Sequence, residues 1–159
     1  MSEIKVHHSF SIPVSRDQVW ALLWDVEALT GCVPGCQVVV TREVDRAYEA
    51  TVRCKLGPFL IGMKLDIEVI KRTPRQSIRV AVIGRDPRLK SDVSQTLDIQ
   101  LREDDGGTSV SLHSALTIDG LLATFSNYLI EMQIKQVLND FAENLVAKLN
   151  ERVTHHQEL

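Results

Sequence analysis

The chain has 159 residues, a formal net charge of −3, and a composition that is 44% hydrophobic and 25% charged. A chain of this length predicts one domain with one sizeable core. The weak net acidity, without a basic arm or patch, argues against binding to nucleic acid.

The sequence does not indicate export or membrane insertion. The N-terminal residues lack the apolar segment of a signal peptide, and no run of about 18 apolar residues is present. Three cysteines without an export signal are typical of reduced thiols in a cytoplasm. We therefore expect a cytoplasmic protein.

The first part of the chain predicts one strand followed by two short helices. Apolar residues alternate loosely up to Pro13, which indicates an edge strand. Ser15, with Gln18 three residues later, forms a capping box that begins the first helix. Asp25 is predicted to cap the second helix.

The rest of the chain predicts six successive strands and one long helix. From Gln37 onward apolar residues recur at every second position between short turns, so neighbouring strands are expected to be antiparallel. After Gly120 the period becomes 3.6 for about 30 residues, which predicts an amphipathic helix. Its apolar stripe is predicted to contain Leu121, Leu122, Phe125, Leu129, Met132, Leu138, Phe141, Leu145 and Leu149.

These elements predict an α+β fold of the helix-grip, START-like type. A curved seven-stranded antiparallel sheet would wrap around the long C-terminal helix, with the two short helices between strands 1 and 2. A sheet with one apolar face must cover it, and only the C-terminal helix is long enough to do so. We expect a single domain over residues 1–153, followed by a polar tail over residues 154–159.

The predicted inner face of the sheet contains no charged side chain and no histidine, because the alternation directs His113 outward. Acid–base catalysis needs an ionisable group near the substrate, and nucleophilic catalysis needs a base beside the Ser or Cys. We therefore predict no catalytic residue, cofactor or metal, and a cavity that binds an apolar molecule. The predicted lining residues are Tyr48, Val52, Cys54, Met63, Leu65, Val80, Gln95, Leu97, Leu112, Ser114, Phe125, Leu129 and Met132.

Two alternatives to a binding cavity stay open. The apolar inner face could be filled by its own side chains, which would leave a protein-interaction module. An enzyme of the cyclase, dehydratase or hydrolase type would require at least one inward ionisable group.

Cys32 and Cys36 flank a Pro-Gly pair, a pattern that has three interpretations. Zinc sites usually use tighter cysteine pairs and need further ligands, and a disulfide is disfavoured in a reducing compartment. We predict that residues 33–36 form a type II turn, with Pro34 and Gly35 at its centre. The two thiols would then be small buried hydrophobic groups.

Several segments together resemble the CoxG family of carbon monoxide dehydrogenase proteins, which lies within the START-like SRPBCC superfamily. The resemblance extends from about residue 4 to residue 149. Its carriers are Ile12-Pro13, Val19-Trp20, Leu23, Asp25, Leu29, residues 32–36, residues 55–59 and residues 120–122.

This resemblance implies a helix-grip fold with a hydrophobic pocket. It also implies a non-catalytic accessory protein of a molybdenum-containing CO dehydrogenase, which handles a lipid or a quinone-like molecule near the membrane. Many members continue into a tail that can engage the membrane, whereas this chain stops at Leu159. We therefore expect transient contact with the inner face of the membrane for ligand exchange, without stable anchoring.

Overall fold

The computed structural model describes residues 3–158, except for the side chains of residues 38, 39 and 154–158. Over that range the strands are β1 (Glu3–Ile12), β2 (Cys36–Glu43), β3 (Ala47–Leu56), β4 (Phe59–Thr73), β5 (Ser77–Asp86), β6 (Ser91–Asp104) and β7 (Gly107–Asp119). The helices are α1 (Arg16–Trp24), α2 (Val26–Gly31) and α3 (Asn127–Glu158), and a 3-10 turn covers Leu121–Thr124.

The strands form one antiparallel sheet in the order β1-β7-β6-β5-β4-β3-β2. The six strands from β2 to β7 pair as consecutive hairpins, and β1 pairs with β7. The sheet curves, α3 packs against its inner face, and α1 and α2 lie between strands 1 and 2 of the chain. The predicted α+β helix-grip fold is confirmed.

Side-chain caps fix the starts of both short helices as predicted. Ser15 Oγ accepts a hydrogen bond from the Gln18 amide at 3.2 Å, and the Ser15 amide donates to Gln18 Oε1 at 3.3 Å. Asp25 Oδ1 accepts a bond from the Ala28 amide at 3.1 Å. These bonds satisfy amide groups that the first turn of a helix leaves unpaired.

The turn between α2 and β2 has the geometry that the sequence predicted. The Cys36 amide donates to the Val33 carbonyl at 3.1 Å, and Gly35 has a φ of 72°. A Cβ on Gly35 would lie 2.2 Å from the Arg53 carbonyl oxygen. Only glycine therefore fits this position without moving β3.

The C-terminal helix differs from the prediction at its start. Gly120 adopts a φ of 91° and Phe125 is extended, so the chain turns once as a 3-10 segment before α3 begins at Asn127. This interruption shifts the phase of the helix. The buried stripe therefore runs through Ile130, Leu138, Phe141, Leu145 and Leu149.

Leu129 and Met132, which the sequence placed on that stripe, are 36% and 46% exposed. At the other end, the helical backbone continues through Glu158, beyond the predicted domain limit at residue 153. None of the helices in the described range has the length and hydropathy that a bilayer span needs.

A candidate ligand-binding cleft

The inner face of the sheet is divided into two regions with different packing. In the region that we call the packed end, α1 and the C-terminal half of α3 cover the strands. Ile99, Val110 and Leu112 of the sheet are 0% exposed there, and so is Leu145 of α3. The second region, which we call the open end, has an apolar lining that keeps part of its surface accessible.

The open end lies where the β3–β4 and β5–β6 turns meet the 3-10 turn. Its lining side chains share the inward orientation of the core but are only half-buried: Val52, Cys54, Met63, Leu65, Val82, Val93, Gln95, Leu97 and Ile118. Helix α3 packs mainly against β1 and touches β3 lightly, so it leaves this part of the sheet uncovered. The space is an open cleft between the sheet and the start of α3.

Two aromatic side chains stand at the mouth of the cleft. Phe59, at the start of β4, meets Phe125 edge-on, with 5.2 Å between the ring centroids. Phe125 is half-buried, and Phe59 is 39% exposed. Such a pair of rings offers apolar surface to any molecule that enters the open end.

The structure brings seven of the thirteen predicted lining residues to the open end or its mouth as half-buried side chains. They are Val52, Cys54, Met63, Leu65, Gln95, Leu97 and Phe125. Ser114 adjoins them but is only 3% exposed, and Leu129 and Met132 lie exposed on the first turns of α3.

The other three predicted lining residues are on the expected face of the sheet but are covered by protein. Tyr48, Val80 and Leu112 are 5%, 8% and 0% exposed. Alternation reveals which side of a strand faces inward, but it does not reveal how deeply a position is covered. These three residues therefore belong to the core instead of the accessible cleft surface.

One polar pair interrupts the apolar lining. Gln95 Nε2 donates a hydrogen bond to Ser114 Oγ at 2.8 Å, between neighbouring strands β6 and β7. The side chains around Gln95 across the strands are Val82 and Leu116. The pair therefore places hydrogen-bonding atoms within an otherwise apolar surface.

The three thiols are free and poorly suited to nucleophilic chemistry. Burial raises the pKa of all three, and for Cys36 it does so to about 11. For Cys54, on the cleft wall, burial is the main cause of the raised pKa, and the Asp86 carboxylate adds to it. A raised pKa leaves little thiolate at neutral pH.

A base near Cys54 or Ser114 would be needed to activate either group. His113 is exposed on the outer face, where it stacks on His7 at 4.5 Å between centroids. Within the described residues, no cluster of three or more His, Cys, Asp or Glu side chains could hold a metal ion. Cys32 and Cys36 are buried, as the turn interpretation predicted.

One buried carboxylate escaped the sequence-based prediction. Asp86 was assigned to a turn, but it ends β5 on the inward side and is only 2% exposed. Its Oδ1 accepts bonds from the Arg88 and Leu89 amides, and its Oδ2 accepts one from Gly62 at 3.2 Å. The alternation of β5 continues through position 86, and that signal could have identified it.

These bonds give Asp86 a structural role at the rim of the open end. The carboxylate joins the β5–β6 turn to β4 through three backbone amides, and carboxylate–amide bonds of this kind are strong. Its oxygens are directed at the backbone of the rim. They are not directed at Gln95 or at the centre of the cleft.

The fold identifies the class of protein. The structure is similar to those of a conserved protein from Geobacillus kaustophilus (TM-score 0.81, 18% identity, 94% of this chain and 96% of that chain covered) and the ZhuI aromatase/cyclase from Streptomyces sp. R1128 (0.67, 12%, 96% and 96%). It is also similar to Ara h 8.0201 (0.64, 11%, 94% and 99%). These neighbours have the SRPBCC, or START-like, fold.

Within that class, the chain belongs to the carbon monoxide dehydrogenase CoxG family, whose model matches residues 9–150. The predicted family resemblance is confirmed. No curated protein sequence matches the chain.

Proposed function

We propose that this protein is a non-catalytic carrier of a hydrophobic small molecule, which is a lipid or a quinone-like compound bound in the open end. The observation that carries this proposal is the half-buried apolar lining between the sheet and α3. Small-molecule sites are typically concave, mostly apolar and provided with a few polar groups. Covering apolar surface releases about 25 cal/mol for each Å² removed from water.

The family membership supports a more specific role. We propose that the carrier is a cytoplasmic accessory of a molybdenum-containing CO dehydrogenase-type enzyme and moves its ligand to or from that enzyme. A carrier of this kind must also exchange its ligand with a membrane, because lipids and long-chain quinones reside there.

Exposed groups around the mouth of the cleft support transient contact with a membrane. Leu60 is 62% exposed and Tyr128 is 72% exposed. The exposed cations Lys55, Arg88 and Lys90 lie on the adjoining turns, and the ion pairs found among the described residues do not include them. Apolar side chains together with cations favour anionic lipid surfaces.

The thiol of Cys54 provides a direct test of binding. Protein should be alkylated with N-ethylmaleimide at about pH 8, where part of the thiol is ionised. The reaction is run with and without 2,3-dimethyl-1,4-naphthoquinone or oleate, and each cysteine is followed by peptide mass spectrometry. We expect either ligand to slow the modification of Cys54, because a bound molecule would cover the cleft wall.

Cys32 and Cys36 are internal controls, since both are buried and should react slowly in every sample. A Cys54 rate that neither probe changes at saturation would count against the proposed function. Native mass spectrometry of protein taken directly from cells gives a second readout, and we expect it to detect a bound apolar molecule.

A further inference from the structure

We propose that the Gln95–Ser114 pair anchors one oxygen atom of the bound molecule. The open end would then select apolar molecules that carry a carbonyl or hydroxyl group over hydrocarbons of the same shape. This inference rests on the proposed function and specifies the ligand class of that same cleft.

The position of the pair is the first argument. Along β6 the inward residues run from half-buried Val93 and Gln95 to Ile99, which is fully covered. Ser114 on β7 lies next to Leu112, which is also fully covered. The pair therefore lies at the inner limit of the open end, where an entering molecule would stop.

The hydrogen-bonding capacity of the pair is the second argument. A carboxamide offers two N–H donors and one acceptor oxygen, and a hydroxyl offers one donor. Only one of these donors is used, in the 2.8 Å bond from Gln95 Nε2 to Ser114 Oγ. The fully buried side-chain atoms without a partner belong to Arg16 and Arg72, within the part of the chain that the structure describes. Gln95 Oε1 is not one of them, so it faces accessible space.

The energetic consequence gives the selectivity. In the empty cleft, water can satisfy the unused donors and acceptor. A hydrocarbon would displace that water and leave the polar atoms unpaired among Val82, Leu97 and Leu116, which is unfavourable. A ligand oxygen would replace the lost hydrogen bond. The molecule would then enter with its oxygen first and keep its apolar remainder near the mouth.

The test compares two ligands of the same shape on matched variants. Equilibrium dialysis would measure the affinities of 2,3-dimethyl-1,4-naphthoquinone and 2,3-dimethylnaphthalene for the wild type, Gln95→Leu and Ser114→Ala. We expect each substitution to weaken quinone binding about five- to tenfold, the usual contribution of one hydrogen bond. Binding of the hydrocarbon should stay the same or become tighter.

Gln100→Leu is the matched control, because Gln100 lies on the same strand with its side chain exposed on the outer face. This variant should bind both ligands like the wild type. A merely structural role for the pair would change the binding of both ligands together, and that result would overturn the inference. Unchanged quinone affinity in Gln95→Leu would also overturn it. If the wild type binds neither molecule, the proposed function itself fails.

Discussion

The two ends of the inner face are built from the same kinds of residue but differ in what covers them. At the packed end, α1 and the last turns of α3 bury Ile99, Leu112 and Leu145 completely. At the open end, Leu65 and Leu97 have the same apolar chemistry and the same inward orientation, yet they are half-buried. The difference indicates that the packed end holds the fold together, while the open end is available for binding.

The comparison also explains how one sheet can serve both purposes. Helix α3 extends along the sheet but packs most closely on β1, and the break at Phe125 directs its first turns away from β3 and β4. Leu129 and Met132 therefore remain exposed beside the open end. A continuous helix from Leu121 would have covered more of this surface.

The largest expected effect comes from shortening a side chain at each end. Leu112→Ala should lower the free energy of unfolding by about 3–5 kcal/mol, because the protein cannot refill a fully buried cavity. Leu65→Ala should cost only about 1–2 kcal/mol, since part of this side chain already faces open space. Urea denaturation measures both values. Equal losses would contradict the division into two ends.

The buried carboxylate at the rim gives the next largest effect. Asp86→Ala leaves the amides of Gly62, Arg88 and Leu89 without their partner, so we expect a loss of about 2–4 kcal/mol. Asp86→Asn keeps one acceptor oxygen and should lose about half as much. The exposed Asp92 is the control, and its change to Asn should alter stability by less than about 0.5 kcal/mol. A neutral Asp86→Ala would show that the rim does not depend on this carboxylate.

The Cys36 thiol predicts a loss of stability at high pH. Burial raises its pKa from 9.0 to about 11, so the unfolded chain releases this proton first as the pH rises. Stability should be unaffected below about pH 9 and should fall by up to roughly 2 kcal/mol between about pH 9 and 11. Thermal melts of the wild type and Cys36→Ala over this range measure the difference. Parallel curves for the two proteins would refute the assignment.

The smallest effect concerns a surface ion pair at the packed end. Arg152 Nη2 lies 2.9 Å from Asp25 Oδ2, and both side chains are substantially exposed. Exposed pairs contribute little, so Arg152→Gln should change the free energy of unfolding by at most about 0.5 kcal/mol. Chemical denaturation at low and high salt tests this value. A loss comparable to that of Leu112→Ala would mean that surface charge, and not the core, stabilises this end.

Much of the fold could be predicted because local signals agree with the final structure. The capping residues Ser15 and Asp25, the turn at Gly35 and the alternation of the six strands each act over a few residues. The inward side of every strand was predictable for the same reason.

The features that escaped prediction depend on distant contacts. Coverage of Leu112 compared with Leu65 depends on where α1 and α3 lie, and sequence periodicity does not contain that information. Asp86 resembled an ordinary turn residue, because its partner Gly62 is on another strand. The start of α3 depends on Gly120, whose backbone packs closely against Lys90.

The most direct test of the two-ended inner face is methyl NMR with 2,3-dimethyl-1,4-naphthoquinone. We predict that the quinone shifts the methyl signals of Val52, Leu65 and Leu97, which line the open end. The signals of Leu112 and Leu145 should remain in place. Shifts spread evenly over both ends, or confined to outer-face methyls such as Ile83, would contradict the assignment of the open end as the ligand site.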